Sequence, residues 1–374
     1  MSKLSDLSAA GTAVWLDFVD RKFLEAKGLE KLVENDGLTG VTSNPSIFEK
    51  AMGHGDAYDA TLAAYDKEHP GAATIDRYEH LAIQDIKAAA ETLKPVYDRL
   101  DGKDGYVSLE VSPYIADDTD ATIAEAEKLW HMVDRKNLMI KIPGTLAGGP
   151  AISATIAKGI NVNVTLLFAL DAYIRVAEAY ATGLEERVRQ GQPIDHIASV
   201  ASFFVSRIDS VIDKEIDRRV GEGDPEGETL WSLRGTVAIA NAKMAYQWFL
   251  DFEKSDRWQA LAAKGAQPQR LLWASTGVKD KAYRDTLYVD TLIGRDTVNT
   301  MPPATMDAFR ERGTVAETLT QDVEGARQVL ADAERLGLNL TDVTDTLVLE
   351  GVASFAKAFD DLLGSIAAKQ PADA

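Results

Sequence analysis

The chain has 374 residues, 45% hydrophobic and 26% charged, with 40 Lys and Arg against 59 Asp and Glu for a formal charge of −19. That balance excludes a broad basic surface for nucleic acid or an anionic membrane, yet it leaves room for one small phosphate held by a few local cations. The absence of cysteine excludes disulfides, thiolate catalysis and Cys-ligated zinc or iron–sulfur, and five histidines without an H-x-x-x-H pair argue against a His-based metal site.

The N-terminus, Met1 to Ala13, carries no apolar signal core, and no apolar run of about 18 residues occurs, so a cytoplasmic enzyme is expected. Buried parallel strands read as short apolar runs. Eight are expected: Ala13 to Val19, Leu38 to Thr42, Tyr106 to Val111, Leu138 to Ile142, Ile160 to Leu166, Ala198 to Phe203, Leu271 to Ser275 and Leu287 to Leu292. Helical periodicity separates most of them. It covers Ile75 to Leu100 (stopping near Lys94-Pro95), Thr119 to Asp134, Phe168 to Gln190 before Gly191, and Thr229 to Phe252. Val315 to Gly337 and Asp342 to Lys369 read as two amphipathic helices after the last strand. Regular alternation implies a parallel sheet, and eight strands favour a single (β/α)8 barrel over residues 1–374, with 315–374 a helical extension packed on it. Periodicity alone leaves an open doubly wound sheet as the alternative.

Function in such barrels sits where strands end at the C-terminal face. Asp17, Asn44, Glu110, Lys141, Asn163, Thr165, Ser202 and Ser275 fall there or close by. Lys141 interrupts Leu138-Met-Ile-Lys-Ile-Pro143, an otherwise apolar strand. Desolvation lowers a lysine's pKa, and a neutral amine can attack a carbonyl to form an iminium, an electron sink for C–C cleavage. The plainer reading is a structural lysine paired with Asp17 or Glu110. Either carboxyl could shuttle protons, although a strand-end acid taken alone is more often a salt-bridge partner. Asn44 precedes Pro45, so it sits in a turn with Ser46 capping the next helix, or it offers an amide to a substrate hydroxyl. Asn163 and Thr165 share one face of their strand. Arg207 follows the sixth strand and Lys279 the seventh; singly each reads as a surface charge, together with Ser275 as a phosphate clamp at helix N-termini.

Gly40-Val-Thr-Ser-Asn-Pro-Ser-Ile-Phe48 and Asn137-Leu-Met-Ile-Lys-Ile-Pro-Gly-Thr145 resemble the two transaldolase signatures, the second of which carries the Schiff-base lysine. Gly159-Ile-Asn-Val-Asn-Val-Thr-Leu166 and Tyr288-Val-Asp-Thr-Leu292 are similar to further family blocks, and the likeness runs from Trp15 to the C-terminal helices. The resemblance implies a metal-free, cofactor-free class I aldol mechanism on sugar phosphates, in a monomer or homodimer. Lys141 would attack a ketose phosphate and keep a dihydroxyacetone unit for an aldose phosphate. Glu110 would act through a water held by Thr165, and Asp17 on the C4 hydroxyl. Asn44, Asn163 and Ser202 would orient the three-carbon fragment; Arg207 and Ser275 would bind phosphate. Two positions depart from the pattern: Lys279 stands in for a usual second arginine, and Phe18 follows Asp17 where an acidic residue is common. Fructose 6-phosphate aldolase-like relatives, which release dihydroxyacetone, carry Gln and Tyr where Glu110 and Phe204 stand. A non-catalytic sugar-phosphate-binding barrel is the remaining alternative.

Overall fold

A computed structural model describes residues 2–369; residues 370–374, the end of the expected extension, lie outside the described residues. Eight parallel strands close in sequence order into one barrel. They are β1 (Thr12–Leu16), β2 (Gly40–Val41), β3 (Tyr106–Glu110), β4 (Leu138–Pro143), β5 (Val162–Leu167), β6 (Ser199–Phe204), β7 (Arg270–Ala274) and β8 (Thr297–Met301). Alternate residues pack outward beneath the helices, with Val14, Leu109, Ile140, Ile142, Val162 and Val164 all buried. The other set fills the barrel. Its floor is Trp15, whose indole N–H donates to Asp104 Oδ1 at 2.9 Å. Arg270 donates to the same carboxylate at 3.0 Å and lies 5.8 Å from the Trp15 ring centroid. Gly40 makes room for that indole, since a Cβ there would stand 2.3 Å from the ring.

Seven of the eight expected strands form, and the eighth lies elsewhere. Leu287-Tyr-Val-Asp290 is a helical turn, closed by the Thr286 hydroxyl donating to Asp290 Oδ2 at 2.7 Å. The strand is Thr-Val-Asn-Thr-Met, too polar to read as buried. Most of its polar groups are matched inside the protein: Thr297 donates to Gly294 O at 2.7 Å, and Asn299 Oδ1 accepts from Thr276 at 2.9 Å, while Asn299 Nδ2 is buried without a partner among the described residues.

Three helix boundaries also differ. Thr74–Arg99 continues past Pro95, because that proline lies near the C-terminal end and interrupts the ladder only there. The expected helix from Thr229 to Phe252 is two, Gly227–Ser232 and Val237–Glu253, broken at Gly235 with φ +67°. Val323–Arg335 starts eight residues late, capped by Asp322, whose side chain accepts from Gly325 N. It packs on Val237–Glu253, and the last helix, Leu340–Ala368, lies on Pro45–Met52 and Thr74–Arg99 and touches β5. There Gly351 meets Leu166, a residue at φ +59° where the β5–β6 register slips. A Cβ on Gly351 would stand 2.8 Å from that leucine, so the helix sits low over the barrel mouth.

Helix Ser206–Gly221 is tied to its neighbours by buried Asp209, which accepts from Ala238 N at 2.8 Å and from Tyr288 OH at 2.9 Å. Burial pushes its carboxyl from an ordinary 3.8 up to about 7. The folded state thus holds this proton more tightly than the unfolded chain, so the ionised side chain costs stability. That cost is absent below pH 3.8, grows as pH rises towards 7 and is constant above it. Asp209→Asn is expected to raise the unfolding free energy at pH 8 by about 2 kcal/mol and to change it little at pH 4, as denaturant melts at the two pH values would show.

Candidate active site

The C-terminal ends of the strands surround a cavity of about 370 Å³. Nine of the expected residues line it: Asp17, Asn44, Lys141, Thr165, Ser202, Phe204, Arg207, Ser275 and Lys279. Glu110 and Asn163 sit just behind this surface and act on it through its lining residues.

Lys141 leaves β4 pointing into the barrel, 4% exposed. Its ammonium donates to Ser43 O at 2.9 Å and lies 3.1 Å from Glu110 Oε2. The register sets this pair, since Glu110 and Lys141 are direct neighbours across β3 and β4. The structural reading of the sequence, a lysine paired with a carboxylate, therefore describes the resting site, but the lysine also faces open cavity. Burial raises Glu110 above the ordinary carboxylate range against the pull of Lys141. Lifting the acid in this way makes the carboxylate a readier acceptor for a proton.

One register step on, Asn163 pairs with Lys141 across β4 and β5. Its amide donates to Ser108 Oγ at 3.0 Å and its oxygen accepts from Ser202 Oγ at 2.7 Å. One amide hydrogen is left for a ligand. Thr165 Oγ1 is buried without a hydrogen-bond partner among the described residues, a condition that costs about 1–3 kcal/mol unless a ligand or water relieves it. On the opposite wall, Asp17 accepts from Thr42 Oγ1 at 2.6 Å. Burial raises Asp17, countered by that hydrogen bond and then by the charges of Lys141, Arg207 and Lys50.

Asn44 itself caps helix Pro45–Met52, accepting from Ile47 N at 3.0 Å, with Pro45 in the first turn. Ser46 is therefore not the cap; it lines the cavity instead. Capping uses the Asn44 oxygen and leaves its NH2 for a ligand.

Arg207, in the first turn of Ser206–Gly221, lies 5.2 Å over the ring of Phe204. Burial lowers its pKa, and burial together with the Arg207 charge lowers that of Lys279, as expected of two neighbouring cations at the cavity rim. Ser275, held at φ +54°, joins them: its carbonyl accepts from Ser206 N at 3.0 Å and the two hydroxyls are 3.0 Å apart. Lys279 stands on an irregular loop and not at a helix N-terminus, because the chain after β7 does not resume a helix until Leu287. Phe18 packs edge-on against Phe23, ring centroids 5.4 Å apart, which accounts for an apolar residue beside Asp17.

The sequence reading missed Thr42, Ser46, Lys50, Thr300 and Phe355, all of which line the cavity. Thr42 and Ser46 lie inside the Gly40–Phe48 motif and keep its two-residue spacing from Asn44. Lys50 follows Ser46 by one helical turn. Thr300 was hidden with β8, and Phe355 reaches the mouth from a helix far along the chain.

A buried amine between two carboxyls, with a cationic rim above, on a closed (β/α)8 barrel, is the arrangement of an aldol enzyme acting on phosphorylated sugars. Residues 14–366 match the family model described as Transaldolase/Fructose-6-phosphate aldolase. The chain is 48% identical over 369 residues to a Transaldolase of Parafrankia sp., covering 98% of each chain. It is 46% identical over 374 residues to Transaldolase 2 of Nostoc sp. (99% of this chain, 98% of the relative), and 47% identical over 367 residues to a Transaldolase of Thermobifida fusca (98% of each). The chain belongs to the transaldolase/fructose-6-phosphate aldolase family; it is an enzyme, and its near-full-length similarity is to members named transaldolase.

Proposed function

We propose that this transaldolase moves a dihydroxyacetone unit from a ketose phosphate, fructose 6-phosphate or sedoheptulose 7-phosphate, to glyceraldehyde 3-phosphate or erythrose 4-phosphate through a Schiff base on Lys141. The reading places the reaction in the pentose phosphate pathway of the cytoplasm. The observation that carries it is the buried Lys141–Glu110 pair, 3.1 Å apart, at the wall of a cavity large enough for such a sugar.

Glu110 takes the ammonium proton, and the freed amine attacks C2 of the ketose. Glu110, through a water held by Thr165, returns the proton to the carbinolamine hydroxyl, which leaves as water and yields the iminium. Asp17 accepts the C4 hydroxyl proton; the C3–C4 bond breaks and its electron pair moves into the iminium, forming an enamine as the aldose phosphate departs. The steps reverse on the second aldose. Asn44, Asn163 and Ser202 hold the hydroxyls of the bound fragment with the amide and hydroxyl groups left free above, and Arg207, Ser275 and Lys279 hold the phosphate.

With fructose 6-phosphate alone the enzyme should release little free dihydroxyacetone; adding erythrose 4-phosphate should start rapid transfer. Fast release without the acceptor would make it an aldolase instead. Arg207→Ala should raise KM for the sugar phosphate about 100-fold, the worth of a charge-assisted phosphate contact, and leave kcat nearly unchanged. Steady-state kinetics with phosphorylated and unphosphorylated fructose would check this, since the latter should be indifferent to the change.

A further inference from the structure

Asp17 does not face the cavity alone. Thr42 Oγ1 lies 2.6 Å from Asp17 Oδ1 and 2.7 Å from Thr300 Oγ1, and both threonines are nearly inaccessible, 2% and 3% exposed. A hydroxyl has one proton to donate, and an ionised carboxylate can only accept. Thr42 therefore donates to Asp17, and the contact with Thr300 requires Thr300 to donate to Thr42. One charge orients both hydroxyls. The backbone fixes the three residues relative to one another: Leu16 pairs with Val41 and with Met301, Asp17 N donates to Met301 O at 2.8 Å, and Thr42 N donates to Leu16 O at 2.9 Å. The charged groups acting on Asp17 are Lys141 from β4, Arg207 from helix Ser206–Gly221, Lys50 from helix Pro45–Met52, and the opposing carboxyl Glu110 from β3.

We propose that Thr42 and Thr300 are positioning residues, a two-hydroxyl relay that aims Asp17 at the C4 hydroxyl and reverses direction when Asp17 takes its proton. The proposal rests on the aldol reading above. In the ionised state the relay donates to the carboxylate and steadies its charge. As the C4 proton reaches Asp17 and the C3–C4 electron pair moves into the iminium, the carboxyl becomes a donor. Thr42 then accepts from it and turns its own proton to Thr300. No proton leaves the site, and the new aldehyde carbonyl is released uncharged. The relay thus acts on C–C cleavage and is silent in Schiff-base formation, which belongs to Lys141 and Glu110.

That separation gives the test. Wild-type enzyme mixed with fructose 6-phosphate and quenched with borohydride should carry mainly a three-carbon fragment on Lys141. Thr42→Val keeps the shape and removes the donor, so the trapped species should shift to the intact six-carbon sugar. Its kcat should fall about tenfold at neutral pH, with the acid limb of the kcat profile moved up by about one pH unit and KM held, because one hydrogen bond to a charged group is lost. Thr42→Ser should restore all three readouts. Thr300→Val should shift the partition the same way by a smaller factor, and it carries the test alone if Thr42→Val does not fold. An unchanged ratio of six- to three-carbon adduct together with an unmoved acid limb overturns the relay. A wild-type enzyme with no adduct at all would instead overturn the aldol reading.

Discussion

Lys141→Ala should abolish transfer, lowering kcat by a factor on the order of 10⁴ to 10⁶, as removal of a covalent nucleophile does in other enzymes. The fold should survive. Lys141 makes one hydrogen bond, to Ser43 O, and one ion pair, to Glu110, so its loss leaves Glu110 buried without a counter-charge. Burial already raises the Glu110 carboxyl, so the lone acid can protonate and remain in place. The variant should keep a measurable affinity for sugar phosphate through Arg207 and Lys279, neither of which touches the lysine's role. Calorimetric titration with fructose 6-phosphate, beside a coupled activity assay, would show activity gone and binding kept. Residual transfer within tenfold of wild type would place the chemistry elsewhere.

Glu110→Gln should come next in size, with kcat lowered about 10²- to 10⁴-fold, the usual contribution of a positioned acid–base group. The amide preserves shape but cannot take the ammonium proton or return it to the carbinolamine. Schiff-base formation should therefore become rate-limiting. Borohydride quenched at early times should trap almost no adduct of either length, in contrast to the six-carbon adduct expected when the Asp17 relay is broken. The pH profile should flatten on its acid side, since one of the two raised carboxyls is gone. A Glu110→Gln enzyme that forms adduct at the wild-type rate would show that this carboxyl only balances charge.

Much of this site was legible in the sequence because barrel strands announce themselves by continuous apolar runs, and a charged residue inside one, such as Lys141, stands out as either a paired structural lysine or a nucleophile. Glu110 and Asn163 follow from the same logic, since parallel register sets them beside the lysine. The method failed where a strand is polar. Thr297–Met301 turns its hydroxyls and the Asn299 amide oxygen to protein partners, so no apolar run marks it, and Thr300 was lost with it. The Leu287–Asp290 segment failed in the opposite sense, being apolar but closed by a local side-chain hydrogen bond. Gly235 was read as helix interior because periodicity continues across it, whereas its positive φ and the hydrogen bond from its N–H to Asp213 end one helix and begin the next. Lys50 and Phe355 show a further limit. A cation on a helix face and an aromatic on a distant helix look like ordinary surface and core residues until the fold brings them to the mouth.

The most direct measurement is intact-protein and peptide mass spectrometry after borohydride reduction in the presence of fructose 6-phosphate. A covalent three-carbon increment confined to the peptide carrying Lys141, and missing from Lys141→Ala, is the predicted result. No increment, or one on Lys50 or Lys279, would contradict the account.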